Sequence, residues 1–442
     1  MATDTSHGAA TSLLELPDPC LVAVMRCCAV DVASICSAAR AHSKLHQLAV
    51  ELLSSITLKT DSQQRVDSLL LYNHGQQLDS ISLTGAVTLR QLPPNLSKLS
   101  SLELNRMHLQ LRPGGNGHPG VLGAFPPLPL KQLRLNGCRL LDGIMGLAAT
   151  ASLPGLQHLS INSCVSFSRQ EVQELTIPGF VMSRLQPLTY LELVGVCVEN
   201  ADRNRHGAAN LQHLSGFTRL LDLRLLPANS YRVTTSEQLP AQLTRLVLGG
   251  SMGVWLDAAA LAGRTLLQHL DLECHGVLNG AAGVAQLLSQ VRQMQQLTYL
   301  RLEGSSSNDE SCPPAAAYAA LTASSKLQHL DISKCRVPAG VWQHVLPAGR
   351  RLPNLQHLGL SYTRVPAGLA ATHASGSLEG LEGVCQLTAL RQLRLRGPSD
   401  AAEELLLQLT QLQQLSSLDY AGQASDAWGR LWLTFRSKVS TC

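Results

Sequence analysis

Residues 297–302 read Leu-Thr-Tyr-Leu-Arg-Leu, residues 327–332 Leu-Gln-His-Leu-Asp-Ile, and residues 355–360 Leu-Gln-His-Leu-Gly-Leu. In each, apolar residues hold positions one, four and six, while three is aromatic or His and five is Arg, Asp or Gly. Alternation over the last four positions is the period of a strand with one buried face. The leading leucine, three residues earlier, belongs to the turn before it. A single copy would suit many folds, so the outer spacing decides.

The same string begins at Leu99, Leu130, Leu156, Leu188, Leu220, Leu243, Leu267 and Leu390, with weaker copies at Leu78 and Leu415. Twelve intervals separate Leu78 from Leu415, a mean period near 28 residues. Leucine accounts for 85 of 442 residues and aromatics for 4%, so the core is built from leucine rather than rings. Strings of this form at this period resemble leucine-rich repeats. The resemblance implies an α/β solenoid, a horseshoe of about thirteen repeats over residues 54–420 with a parallel sheet along its concave side. Leucines at four and six would form one continuous core, and positions three, five and seven would line the concave face. The ninth position of such repeats takes a small residue; Cys138, Cys164 and Cys335 hold it, followed two residues later by Leu140 and Val337 in two copies. These thiols are expected to be structural fillers. Segments 281–296 and 401–415 are expected to be helical, and 112–129 a Pro/Gly-rich loop. Trp428, Trp432 and Phe435 fall in a terminal stretch, 421–442, expected to cap the last repeat.

Residues 1–12 are expected to be disordered. Segment 13–53 carries no copy of the string: Leu21, Val24, Met25 and Cys28 fall at helical spacing, as do Val32, Ile35 and Ala39, and Pro17-Asp18 suits a helix start. Leu16-Pro17-Asp18, Leu21, Val24, Asp31, Val32 and Arg40 together resemble the F-box, a short helical module that docks on the Skp adaptor of cullin-type ubiquitin ligases. Cys28 and Ala38 stand where a larger apolar residue is usual, and His42 where Trp is usual. The resemblance implies that Leu16, Pro17, Leu21, Val24 and Met25 face the adaptor. The alternative is a helical cap shielding Ile56 and Leu58 of the first repeat.

Signals for catalysis are absent from the string of residues: no His-Glu-x-x-His, no Gly-x-Ser-x-Gly and no phosphate loop. Gly115, Gly117 and Gly120 match a dinucleotide fingerprint only as text, in a Pro-rich loop without the following helix. Fifteen histidines show no metal-ligand spacing, and twelve cysteines include no Cys-x-x-Cys pair. Neither a cofactor nor a metal is expected. A net charge of +4 is too mild for nucleic acid, and no stretch approaches the roughly 20 apolar residues of a membrane span. The N-terminus lacks a secretory signal pattern, which points to the cytoplasm or nucleus, with a cytoskeletal or axonemal scaffold as the alternative.

The expected function is protein binding without catalysis. Four successive copies should align His269, Tyr299, His329 and His357 in a row about 5 Å apart, with Asp271, Arg301, Asp331 and Gly359 beside them. Glu273, Glu303, Ser333 and Ser361 form a third row. This concave strip would hold a partner protein, the alternative being a repeat habit without selection for binding. In the N-terminal half Asn105, Asn136 and Asn162 hold equivalent places and could ladder their amides. The expected partners are a Skp adaptor and a substrate protein, with the chain a monomer outside that complex.

Overall fold

The architecture comes from a computed structural model of the full chain. It describes residues 55–66, 78–89, 92, 96–110, 129–141, 153–168, 171–177, 185–198, 214–226, 231–233, 239–250, 254–277, 280–303, 312–337, 340–349, 352–361, 381–396 and 409–420, a few single positions excepted, together with 17, 20, 21 and 23. The expected disordered start, most of the helical head, the glycines at 115–120, the bulk of the 401–415 helix and the cap at 421–442 lie outside the described residues. The chain divides into two compact units, residues 1–156 with 165–172, and residues 157–164 with 173–442.

The first unit contains four parallel strands in sequence order: β1 (Ser55–Lys59), β2 (Ser80–Thr84), β3 (Ser101–Asn105) and β4 (Gln132–Asn136). The register advances one repeat at a time without slipping, Ile56 beside Ile81, Ile81 beside Leu102, and Leu102 beside Leu133. A second parallel ladder of two-residue pieces, Thr88–Leu89, His108–Leu109 and Arg139–Leu140, runs on to Val165–Ser168. β1 precedes the first string picked out in the sequence; its own string, Leu53-Ser54-Ser55-Ile56-Thr57-Leu58, carries Ile for the second leucine, as does the weak copy at Leu78.

Among the described residues the main row of the second unit's sheet runs through ten parallel strands: β5 (His158–Asn162), β6 (Tyr190–Val194), β7 (Asp222–Leu226), β8 (Arg245–Leu248), β9 (His269–Val277), β10 (Tyr299–Glu303), β11 (His329–Asp331), β12 (His357–Ser361), β13 (Gln392–Arg396) and β14 (Ser417–Tyr420). Each pairs in parallel with the next.

A strand begins at position three of each string because positions one to three form its entry. The first leucine closes a tight turn onto the residue three before it, as in Leu188 N–H to Leu185 O at 3.2 Å and Leu297 N–H to Met294 O at 3.1 Å. Amides two and three then converge on one carbonyl of the preceding repeat: Thr298 and Tyr299 both donate to Gln268 O, and Gln328 and His329 both donate to Thr298 O. Each repeat is thereby stapled to its neighbour at the same atom, which sets the register of the strands that follow.

Positions four and six supply the core. Leu191, Leu223, Leu270, Leu300, Leu330 and Leu358 are 0% exposed. The ninth-position thiols are buried as expected: Cys138 Sγ donates to Leu104 O at 3.1 Å and Cys335 Sγ to Leu302 O at 2.7 Å. Leu140 and Val337 are buried beside them in sequence. The expected helix at 281–296 is α1 (Gly280–Gln293), which buries Val284, Leu287, Leu288 and Val291, one stripe at helical spacing. A single-turn helix, α2 (Val341–Val345), buries Trp342. Two hydroxyls are buried with acceptors: Ser324 Oγ on Leu297 O at 2.8 Å, and Thr322 Oγ on Val345 O at 2.8 Å.

Candidate partner-binding face

The face of the second unit's sheet turned away from the leucines carries positions three, five and seven. Strand pairing places His158, Tyr190, Asp222, Arg245, His269, Tyr299, His329, His357, Gln392 and Ser417 in one row. The expected four-ring segment is present, and its rings are stacked rather than merely adjacent. Centroids lie 3.9 Å apart for His269–Tyr299, 4.1 Å for Tyr299–His329 and 4.2 Å for His329–His357, with interplanar angles of 13°, 11° and 24°. A second stack, His158 on Tyr190, has centroids 3.8 Å apart and planes within 2°. In-register parallel strands produce this geometry directly, since equivalent side chains repeat at the interstrand spacing of about 4.8 Å and lean together. These rings are partly buried, not free in solvent as the expectation of an open strip implied, because each covers its neighbour's face.

Row five alternates in sign. Arg301 lies 3.6 Å from Asp271 and also pairs with Glu303 on its own strand. Farther along, Arg224 lies 3.4 Å from Glu192 and 3.3 Å from Asp222, Arg245 lies 3.9 Å from Asp222, and Ser160 Oγ donates to Glu192 at 2.7 Å. The Arg224 guanidinium also sits 5.3 Å from the Tyr190 ring centroid, within cation–π range. Asp331 turns its carboxylate back, accepting the Ser333 N–H at 2.9 Å, and fills the space over Gly359. A Cβ at Gly359 would stand 2.6 Å from that carboxylate, which would have to move to admit a side chain there.

Partial burial sets the protonation of this face. Burial holds His269 and His329 down at about 4, with Arg245 adding to the effect at His269 and His357 adding to it at His329. His357 is lowered by burial and then by Arg394. Burial pushes Tyr190 up to about 12, with the Glu192 charge acting in the same direction. It also raises Asp222 and Asp271, although arginines beside each oppose the rise.

Sequence spacing located His269, Asp271, Tyr299, Arg301, His329, Asp331 and His357, and the structure brings all seven onto one face of four adjacent strands. Glu192, Asp222, Arg224 and Arg245 extend the same face and were not singled out. Their signal was available, since they occupy positions three and five of strings already recognised at Leu188, Leu220 and Leu243. In the first unit the amide ladder forms between Asn136 Nδ2 and Asn105 Oδ1 at 2.7 Å, and Asn105 Nδ2 continues it to Thr84 Oγ1 at 3.2 Å. In the second unit Asn162 Oδ1 instead accepts from Ser163 Oγ at 2.9 Å.

Near the N-terminus, the amides of Cys20 and Leu21 donate to Pro17 O at 2.9 and 3.1 Å, the first turn of the expected helix. Pro17 is exposed and Leu21 is 0% exposed, so the Leu21 side chain faces packing rather than solvent. Leu16, Val24 and Met25 lie outside the described residues. Among the described residues no cluster of three metal-ligating side chains occurs, and no helix is long and apolar enough to cross a membrane.

No protein-family profile and no curated protein matches the chain. Among solved structures it is similar to a leucine-rich-repeat protein of Leptospira interrogans, at 18% identity and a TM-score of 0.51 over 91% of each chain. It also aligns with an internalin of Listeria monocytogenes, at 17% identity and a TM-score of 0.45 over 88% of this chain and 94% of that one. At such identities the likeness concerns architecture alone, and with the in-register strands it establishes that the chain has the leucine-rich-repeat fold.

Proposed function

We propose that this protein binds another protein across the open face of its second unit and carries out no chemistry on it. The observation that carries the reading is the side-chain array itself. Six of the parallel strands hold stacked rings in one row, two rings in one stack and four in the other, and charged side chains of alternating sign run in the next. Such a surface offers aromatic area, hydrogen bonds and fixed charge, the mixture found at protein interfaces. Charges already paired within the row cost less to cover than isolated ions would.

The finer reading is that of a substrate receptor. The N-terminal head would dock on a Skp-type adaptor through Pro17 and its neighbours, while the open face holds a target protein for ubiquitin transfer by other subunits, in cytoplasm or nucleus. Its support is the F-box resemblance of residues 16–40 and the exposure of Pro17. The buried Leu21 would hold the head together instead of touching the adaptor. A pull-down with purified Skp adaptor tests this, comparing the full chain with one lacking residues 1–50. Binding that disappears with the head supports the receptor reading. Absence of binding by folded full-length chain leaves an interaction scaffold, cytoskeletal or axonemal, with the head as a cap. For the face itself, Arg301→Glu should abolish partner capture while the chain stays folded. Undiminished capture of the same partner by that variant would remove the face from the interaction.

A further inference from the structure

Two buried nitrogens of the four-ring column have no partner among the described residues. Among the described residues, five buried side-chain polar atoms have no hydrogen-bond partner, and His329 Nε2 and His357 Nε2 are two of them. They sit on adjacent strands whose rings are 4.2 Å apart. A neutral imidazole leaves a ring nitrogen unsatisfied at modest cost. An imidazolium requires both N–H groups to be solvated or paired, and two imidazoliums at this separation repel one another.

The charges around the column bear on both ring charge states. On the near side, His269 faces Arg245 and then Arg224, and Tyr299 stands between His269 and His329. On the strand before His329, Arg301 is engaged by Asp271 and Glu303. On the far side, His357 pairs with Gln392, and Arg394 disfavours a proton on both His329 and His357. Asp331 is the group favouring a proton on both, and it is committed to the Ser333 amide.

We infer that the His269–Tyr299–His329–His357 column is an acid-operated latch in the open face: its rings stay stacked while the imidazoles are neutral and separate when His329 and His357 take up protons. Separation lets each Nε2–H reach water, and it converts a closed neutral ridge into two cations beside Arg301 and Arg394. The consequence for binding, release of a partner in acid, rests on the proposed function; the latch itself does not. Burial is what delays proton uptake, so the latch opens below the ordinary histidine range.

The test follows the column directly. In full-length chain with ¹³C-labelled histidine, the Cε1 resonances of His329 and His357 should titrate well below the usual midpoint near 6.5, and the near-UV circular dichroism of the stacked tyrosine should fall over the same interval. Substitutions His329→Phe and His357→Phe keep a flat ring without a titrating group, and together they should sharply reduce the acid transition in the near-UV signal, leaving His269 alone to titrate against Tyr299. Two results overturn the latch: both histidines titrating near 6.5, or the near-UV signal passing unchanged through their titration. Should the Phe variants fail to fold, the resonance titration of the unaltered chain decides alone. Partner binding is read separately, so an intact latch with pH-independent binding would count against the proposed role of the face and not against the latch.

Discussion

At Gly85 a Cβ would stand 1.8 Å from the Thr60 carbonyl oxygen, closer than any real contact, because the turn after β2 lies against the turn after β1. Gly85→Ala must push two backbones apart. It is expected to cost about 3 kcal/mol, the upper end for overpacking, read as a lower denaturation midpoint at unchanged slope. Leu330, 0% exposed, is the opposite case, since truncation leaves a void that parallel neighbours cannot fill. Leu330→Ala should cost about 2–5 kcal/mol by the same measurement. Asn136→Ala removes the 2.7 Å rung to Asn105, on a half-buried face where water can replace part of it. The expected loss is about 1 kcal/mol, and a value near zero would mean the ladder is decorative.

Elements rather than residues decide what the ring column contributes. Strands β9 to β12 are paired by backbone hydrogen bonds whatever their side chains, so the sheet should survive loss of the rings. Stacked rings nevertheless add about 0.5–1.5 kcal/mol per pair beyond their buried area. Replacing Tyr299 and His329 together with Ala removes three stacked contacts, and is expected to lower stability by about 2–4 kcal/mol, more than a solvent-facing pair would. Chemical denaturation of the double variant checks it; a loss within about 0.5 kcal/mol would return the rings to the status of free surface. The ion pairs beside them promise less. Arg301 keeps 31% of its side chain in solvent against 15% for Asp271, and pairs of that exposure contribute at most about 1 kcal/mol. Their place is in recognition.

For the whole molecule, acid acts through opposing groups. His269 and His329 are lowered in the folded chain, so the unfolded chain binds protons more readily and stability falls as pH drops below about 6.5 toward about 4; His357, also lowered, acts in the same direction. Asp222 and Asp271 are raised, so their folded forms take protons more readily and they favour folding as pH falls. The imidazoles act from about 6.5 downward, where a histidine of the unfolded chain begins to take a proton. Thermal midpoints should therefore be lower near pH 5 than near pH 7.5, and the His329→Phe, His357→Phe chain should lose much of that difference. A midpoint unchanged over this range would show that the carboxylates offset the imidazoles or that the rings are more hydrated than their burial indicates.

The leucine string by itself determined the parallel pairing, the register and which residues share a face. Position in the string is position in the strand, and a repeat that matches its neighbour in length and pattern can stack on it in only one way. That is why His269, Tyr299, His329 and His357 could be placed in one row from spacing alone. Tertiary structure decided what the row does once assembled. The string carries no information that rings 4 Å apart would hide two imidazole nitrogens, or that Asp331 would turn onto the Ser333 amide over Gly359. Each depends on side chains from separate repeats meeting in space. β1 was legible too: Leu53-Ser54-Ser55-Ile56-Thr57-Leu58 fits the string with Ile for the second leucine, and its pairing with β2 follows from that match.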